Sequence, residues 1–196
     1  ELVSEDLGTR SIFELSVVNV DKPTLTEEQL RRRLRQFQGR WSVALTRAPK
    51  FRQKAALFPG CTFIIGWDTA VRLVDPAYYD RQSETVREAL AEMRAHGCRY
   101  LVAGRLSEER FMTLEDVPVP EGFEDLFEPI SADRFRADVS STDHAPFVVV
   151  AGRWRQRESR NCLAAVTYGV SRECPRSGRG IGPARPAIAI VRLTER

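Results

Sequence analysis

The apolar positions of the chain fall into short runs separated by stripes of helical spacing. Ile12 to Val18 (IFELSVV), Trp41 to Thr46 (WSVALT), Cys61 to Ile65 (CTFII) and Arg99 to Gly104 (RYLVAG) are brief and rich in β-branched and aromatic residues. Such runs predict four buried strands. Helical patterns lie between them. Thr26-Glu27-Glu28-Gln29 is a capping box, after which Leu30, Leu34 and Phe37 share one stripe. Lys50 to Phe58 predicts a short helix, and Asp68-Thr69 opens another. Ser83 caps a longer one, with Val86, Ala89, Leu90 and Met93 on its buried stripe and Gly97 at its end. Strands alternating with helices in this way predict a three-layer α/β domain, a parallel sheet covered on both faces.

The remaining stretches are less regular. Glu1 to Gly8 reads as the tail of a helix. An acidic, proline-containing excursion follows Gly104 as far as Pro120, Glu124 to Phe127 is expected to be helical, and Ile130 to Val139 leads into Ser140-Ser141-Thr142. The composition then changes. Residues 1 to 144 carry 20 basic and 24 acidic side chains, a net of −4. Residues 145 to 196 carry 10 arginines, 3 glutamates and neither lysine nor aspartate, a net of +7. Residues 1–144 are therefore expected to form the folded domain. Residues 145–196 are expected to be a basic tail rich in Arg, Gly, Ser and Pro, poorly ordered or a non-native extension. Within it only Phe147 to Val150 and Ala187 to Leu193 have strand character. Three explanations are open: a basic arm for nucleic acid or an acidic partner, an extra pair of edge strands, or peptide read from a shifted frame. The shifted frame ranks first, because lysine and aspartate vanish together.

Composition excludes several classes. A chain of 196 residues supports one sizeable core, and no apolar run approaches the roughly 20 residues of a membrane span. The four cysteines form no C-x-x-C pair, and with two histidines a zinc cluster is not expected. Free or buried thiols in a reducing compartment, the cytoplasm, are the expectation. No basic start leads into an apolar signal core. Arg31, Arg32, Arg33 and Arg35 lie mostly off the apolar stripe of their helix and read as a solvated face, with no aromatic platform for nucleic acid beside them.

Candidate chemistry gathers at Phe58 to Val74 (FPGCTFIIGWDTAVRLV), where an apolar strand stops at Gly66 and a helix opens at Asp68-Thr69. Ligands of open α/β sheets bind at the carboxyl ends of the strands, which singles out Gly66, Trp67 and Asp68. Asp68 is suited to cap the helix, and Trp67 either stacks on a flat ring or closes the pocket floor. Asn19, at the end of the first strand, is suited to a base or amide contact. Lys22 and Arg47 lie in exit loops, where each is either a phosphate contact or a plain surface cation. His96 and Cys98 read as structural.

Five segments occur in order: NVDKP at 19–23, TRAPKFRQKAALFPG at 46–60, GWDTA at 66–70, HGCRYLVAGR at 96–105 and DVSST at 138–142. Together they resemble the cytidylyltransferase-like nucleotidyltransferases, close to the nicotinamide and nicotinate mononucleotide adenylyltransferases, over roughly residues 1 to 142. The resemblance implies a doubly wound, Rossmann-like parallel sheet. It implies adenylyl or cytidylyl transfer from ATP or CTP to a phosphorylated acceptor such as nicotinate or nicotinamide mononucleotide, with Mg²⁺ and release of pyrophosphate, and it allows a homo-oligomer. By the same resemblance Gly66 and Asp68 fall in the G-x-D segment that lines the nucleotide pocket. Ser140, Ser141 and Thr142 begin the I-S-S-T-x-x-R signature that grips the triphosphate. The family's H-x-G-H motif is absent from the sequence, whose histidines are His96 and His144. The first strand and that motif would lie upstream of Glu1. After Thr142 the basic residue of the signature is missing and Pro146 interrupts the expected helix. Turnover by this chain is therefore expected to be impaired. The alternatives are a non-catalytic nucleotide-binding module and a protein that binds nucleic acid through its basic tail.

Overall fold

The structure is a computed structural model that describes residues 10–18, 23–37, 41–79, 81, 83–133, 148–152 and 188–192. The four strands expected from the apolar runs are all present: β1 (Arg10–Ser16), β2 (Ser42–Thr46), β3 (Thr62–Gly66) and β4 (Arg99–Ala103). The helices between them are α1 (Glu27–Arg35), α2 (Phe51–Leu57), α3 (Trp67–Val74) and α4 (Ser83–Ala95). The capping box closes as its spacing demands. The Gln29 amide donates to Thr26 Oγ1 at 3.2 Å, and the Thr26 amide donates to Gln29 Oε1 at 3.0 Å.

Further strands lie beyond these four, some where none was expected and two in the tail segments that have strand character. The excursion after Gly104 contains a hairpin, β5 (Arg105–Ser107) and β6 (Arg110–Met112). Glu124–Leu126 is one 3₁₀ turn that runs directly into β7 (Phe127–Ile130). Two tail segments, β8 (Val148–Gly152) and β9 (Ile188–Arg192), also enter the sheet.

Among the described residues the main sheet has seven strands in the order β7-β4-β3-β8-β1-β2-β9. β1 and β2 run parallel, as do β3, β4 and β7. The sheet is nevertheless mixed, which corrects the expectation of a purely parallel one. β8 is antiparallel to both β1 and β3, and β9 is antiparallel to β2. The physical reason is that the Val-rich run at 148–150 carries β propensity without direction. Hydrophobic pattern selects a face of the sheet but does not select strand polarity.

Pleating sends alternate side chains to opposite faces, and each face has its own apolar cluster. On one, α1 lays Leu34 and Phe37 over Leu15 and Val43. On the other, α2, α3 and α4 bury Ala55, Phe58, Ala70, Leu73, Leu90 and Met93 against the rest of the sheet. The in-register residues Phe63, Tyr100 and Phe127 form an aromatic row on β3, β4 and β7. Ring centroids are 5.5 Å apart for the first pair and 5.4 Å for the second, both stacked. Tyr100 donates its hydroxyl to Met93 Sδ at 2.7 Å, which ties α4 to the row. No helix among the described residues is long and apolar enough to cross a membrane.

Candidate functional site

The five mutually parallel strands form two groups, β1 with β2 and β3 with β4 and β7, and β8 lies between them. β8 does not span the full length of its neighbours. Its ladder stops at Glu14 on β1 and at Ile64 on β3, where Val148 and Val149 begin the strand. β1 and β3 end at Ser16 and Gly66, and the residues that lead into β8 at Val148 lie outside the described ones. Two strand spacings separate Ser16 from Gly66, roughly 10 Å. Gly66 is exposed and Ser16 half-buried. The carboxyl ends of β1 and β3 lie where the order of the parallel strands reverses, which is where open α/β sheets hold ligands.

Gly66, Trp67 and Asp68 form the turn that ends β3, a lip of the carboxyl edge. Gly66 is the N-cap of α3 through its extended backbone and makes no side-chain cap. Asp68 is therefore in the first turn and is not the capping residue, which corrects that expectation. The strand continues one residue further than the apolar run, through Gly66, so the helix starts at Trp67. A carboxylate in a first turn is still favoured by the helix dipole. Its Oδ2 accepts a hydrogen bond from Arg105 Nη1 in a half-buried ion pair. Its Oδ1 is buried without a hydrogen-bond partner among the described residues, and so is the indole Nε1 of Trp67. Polar atoms buried without partners are rare in folded proteins and costly. Two on consecutive residues at the carboxyl edge single out this turn among the described residues.

Arg105 was not singled out in the sequence. The signal was its position one residue past Gly104, at the end of an apolar strand. Arg47 is exposed after β2, on the same edge, and among the described residues makes no contact that assigns it a role. Asn19, Lys22, Ser140, Ser141 and Thr142 lie outside the described residues. The described strands on either side of the three hydroxyls, β7 ending at Ile130 and β8 starting at Val148, meet the carboxyl edge at those residues.

A second polar cluster is buried between β1, β2 and α2. Glu14 on β1, Thr46 at the end of β2 and Lys54 on α2 are all buried. Glu14 accepts from the Thr46 hydroxyl with Oε1 and from the Lys54 ammonium with Oε2. Thr46 Oγ1 in turn accepts from the Ala48 amide at 3.3 Å. Burial lowers the Lys54 pKa from its ordinary value, and the attraction and hydrogen bond of Glu14 oppose that shift. Sequence reading passed over both charges. Glu14 interrupts IFELSVV and Lys54 interrupts an otherwise amphipathic turn, so an ionisable residue inside an apolar pattern was the available clue.

Cys61 and Cys98 are free, buried thiols. Burial pushes the Cys61 pKa up to about 12, with a smaller contribution from Cys98. No group of three or more His, Cys, Asp or Glu side chains among the described residues is arranged to hold a metal ion. A surface depression of about 280 Å³ is lined by Val74, Pro76, Val86, Arg87, Pro118 and Pro120, and gathers no set of convergent polar groups. No family model, curated protein or solved structure matches this chain.

Proposed function

We propose that this chain is a nucleotide-binding α/β domain of the nucleotidyltransferase type, with a doubly wound, Rossmann-like arrangement of its parallel strands. It would receive a nucleoside triphosphate and a phosphorylated acceptor at the carboxyl edge of the sheet. One observation carries this proposal. The order of the parallel strands reverses between β1 and β3, and the turn after β3 carries the unsatisfied Trp67 Nε1 and Asp68 Oδ1. The ordered resemblance of residues 19–142 to mononucleotide adenylyltransferases supplies the ligand class. The cytoplasm is the compartment proposed with it.

In adenylyl transfer the acceptor phosphate attacks the α-phosphate in line and pyrophosphate leaves. Such chemistry needs positioning and charge stabilisation more than a covalent role for the protein. Asp68 and the hydroxyls of Ser140, Ser141 and Thr142 would hold and orient the ligand, and Trp67 would pack against it. Mg²⁺ in sites of this kind is held mainly by phosphate oxygens and water with one or two carboxylates. The lack of an all-protein cage among the described residues is compatible with that, and Asp68 is the carboxylate at this turn that would take part. When bound, the ion would neutralise charge on the triphosphate.

The absence of H-x-G-H from the sequence favours a second reading, binding without turnover. Calorimetric titration with ATP, CTP and nicotinate or nicotinamide mononucleotide, run beside a pyrophosphate-release assay, separates the two. Binding with slow release supports an impaired transferase, and binding with none supports a module. No binding by any of the ligands overturns both.

A further inference from the structure

Arg105 is placed with unusual economy. β4 ends at Ala103, and Gly104 follows in a confined position where an added Cβ would come within 2.7 Å of the Phe111 ring and 2.8 Å of the Met112 carbonyl. Only glycine fits there, so the β5–β6 hairpin folds back hard against the end of β4. Arg105, its first residue, is thereby fixed at the carboxyl edge. Its Nη1 donates to Asp68 Oδ2, and its Nε donates to the Leu106 carbonyl at 3.3 Å. A guanidinium has five N–H donors in a planar fork, so three remain unused among the described residues. The side chain is 22 % exposed, which keeps those donors in reach of a ligand while the stem is held by the fold.

We propose that Arg105, held in place by Asp68, is the group that contacts a phosphate of the bound nucleotide; this rests on the nucleotide-binding reading above. Asp68 is then a positioning residue for Arg105 as well as part of the lip. A guanidinium fits this task because its fork pairs two N–H groups with two phosphate oxygens, which an ammonium cannot do. Its carboxylate partner also lowers the entropy lost when the ligand arrives, since the fork is already oriented. The phosphate could come from the triphosphate or from the acceptor mononucleotide. The chemistry is the same, and the experiment below distinguishes the two sources.

The test uses the full chain as wild type, Arg105→Met and Arg105→Lys. Each is titrated calorimetrically with ATP, adenosine, nicotinate mononucleotide and nicotinate riboside, and circular dichroism checks the fold. Arg105→Met is expected to weaken one phosphorylated ligand by about tenfold or more while leaving its nucleoside unchanged. Whether ATP or the mononucleotide is affected identifies the source of the phosphate. Arg105→Lys, which keeps the charge, is expected to recover only part of the loss. If wild type binds nucleotides and Arg105→Met binds them equally well, the proposal is overturned while the nucleotide reading stands. Equal weakening of nucleoside and nucleotide means a damaged fold and also overturns it. If wild type binds none of the four, the nucleotide reading falls and this proposal falls with it.

Discussion

Lys54 on α2 and Glu14 on β1 form an ion pair with both side chains closed off from solvent, 6 % and 1 % exposed. Thr46 occupies the second oxygen of Glu14, so the carboxylate is satisfied on both sides. The pair ties α2 to β1.

Breaking this pair from one side leaves a buried charge unpaired. Glu14→Gln or Lys54→Met alone is expected to destabilise the fold by about 3–5 kcal/mol. The double variant Glu14→Gln with Lys54→Met is expected to recover most of that loss, because desolvation of two ions is removed along with their attraction. Urea denaturation of the four proteins in a double-mutant cycle measures the coupling. Additive losses would show that the two groups do not interact.

Alkaline pH should weaken the fold. Thiols ordinarily titrate near 9.0 and phenols near 10.0, but burial pushes Cys61 and Tyr79 up to about 12 and raises Cys98 and Tyr100 as well. Between pH 9 and about 12 the folded state then holds more protons than the unfolded one. Their stabilisation is complete below pH 9 and is lost as pH rises through that window. Lys54 acts in the opposite sense. Its pKa is lowered from 10.5, so its contribution grows with pH until the unfolded lysine also deprotonates. One group against four predicts a net decline, read as a falling urea midpoint between pH 8 and 11 under reducing conditions.

The aromatic row gives a packing prediction. Phe63 is fully buried and touches Phe51, Phe58 and Tyr100. Phe63→Ala is expected to cost about 3–5 kcal/mol through lost burial and the cavity left behind. Phe63→Leu should cost clearly less, because it refills part of the volume. A thermal melt that fails to separate the two variants would contradict this packing.

At the lip, Asp68→Asn removes the charge that faces Arg105 while keeping the shape. The pair is only half-buried, with side chains 22 % and 27 % exposed, so the stability change should be small, about 1 kcal/mol or less. Nucleotide affinity should fall about tenfold. Trp67→Phe removes a buried N–H that lacks a partner, so the free protein should lose little stability while ligand affinity drops. Fluorescence titration and thermal melts of both variants check these outcomes.

Much of the fold was legible because the signals were local. The capping box at Thr26–Gln29, the stripe Val86, Ala89, Leu90 and Met93, and the four early strands are all set by residues within a few positions of one another. Where signals were weak or conflicting, the sequence misled. Phe127 was assigned to a helix because the acidic turn before it looked helical, yet Phe127 stacks on Tyr100 and becomes the first residue of β7. At the site, Gly66, Trp67 and Asp68 could be found from a strand that ends before a helix. Arg105 could not, because its partner lies 37 residues away.

By itself the chain determined its alternation of strands and helices, the face each element buries, and the turn after β3 where chemistry was to be sought. Those properties follow from periodicity and capping, which act over one or two turns of chain. The tertiary structure alone decided that Val148–Gly152 runs backwards through the middle of the sheet, that Glu14 meets Lys54, and that Arg105 meets Asp68. Direction of strand pairing and the meeting of distant charges depend on how the whole backbone closes, and no short stretch of residues carries that information.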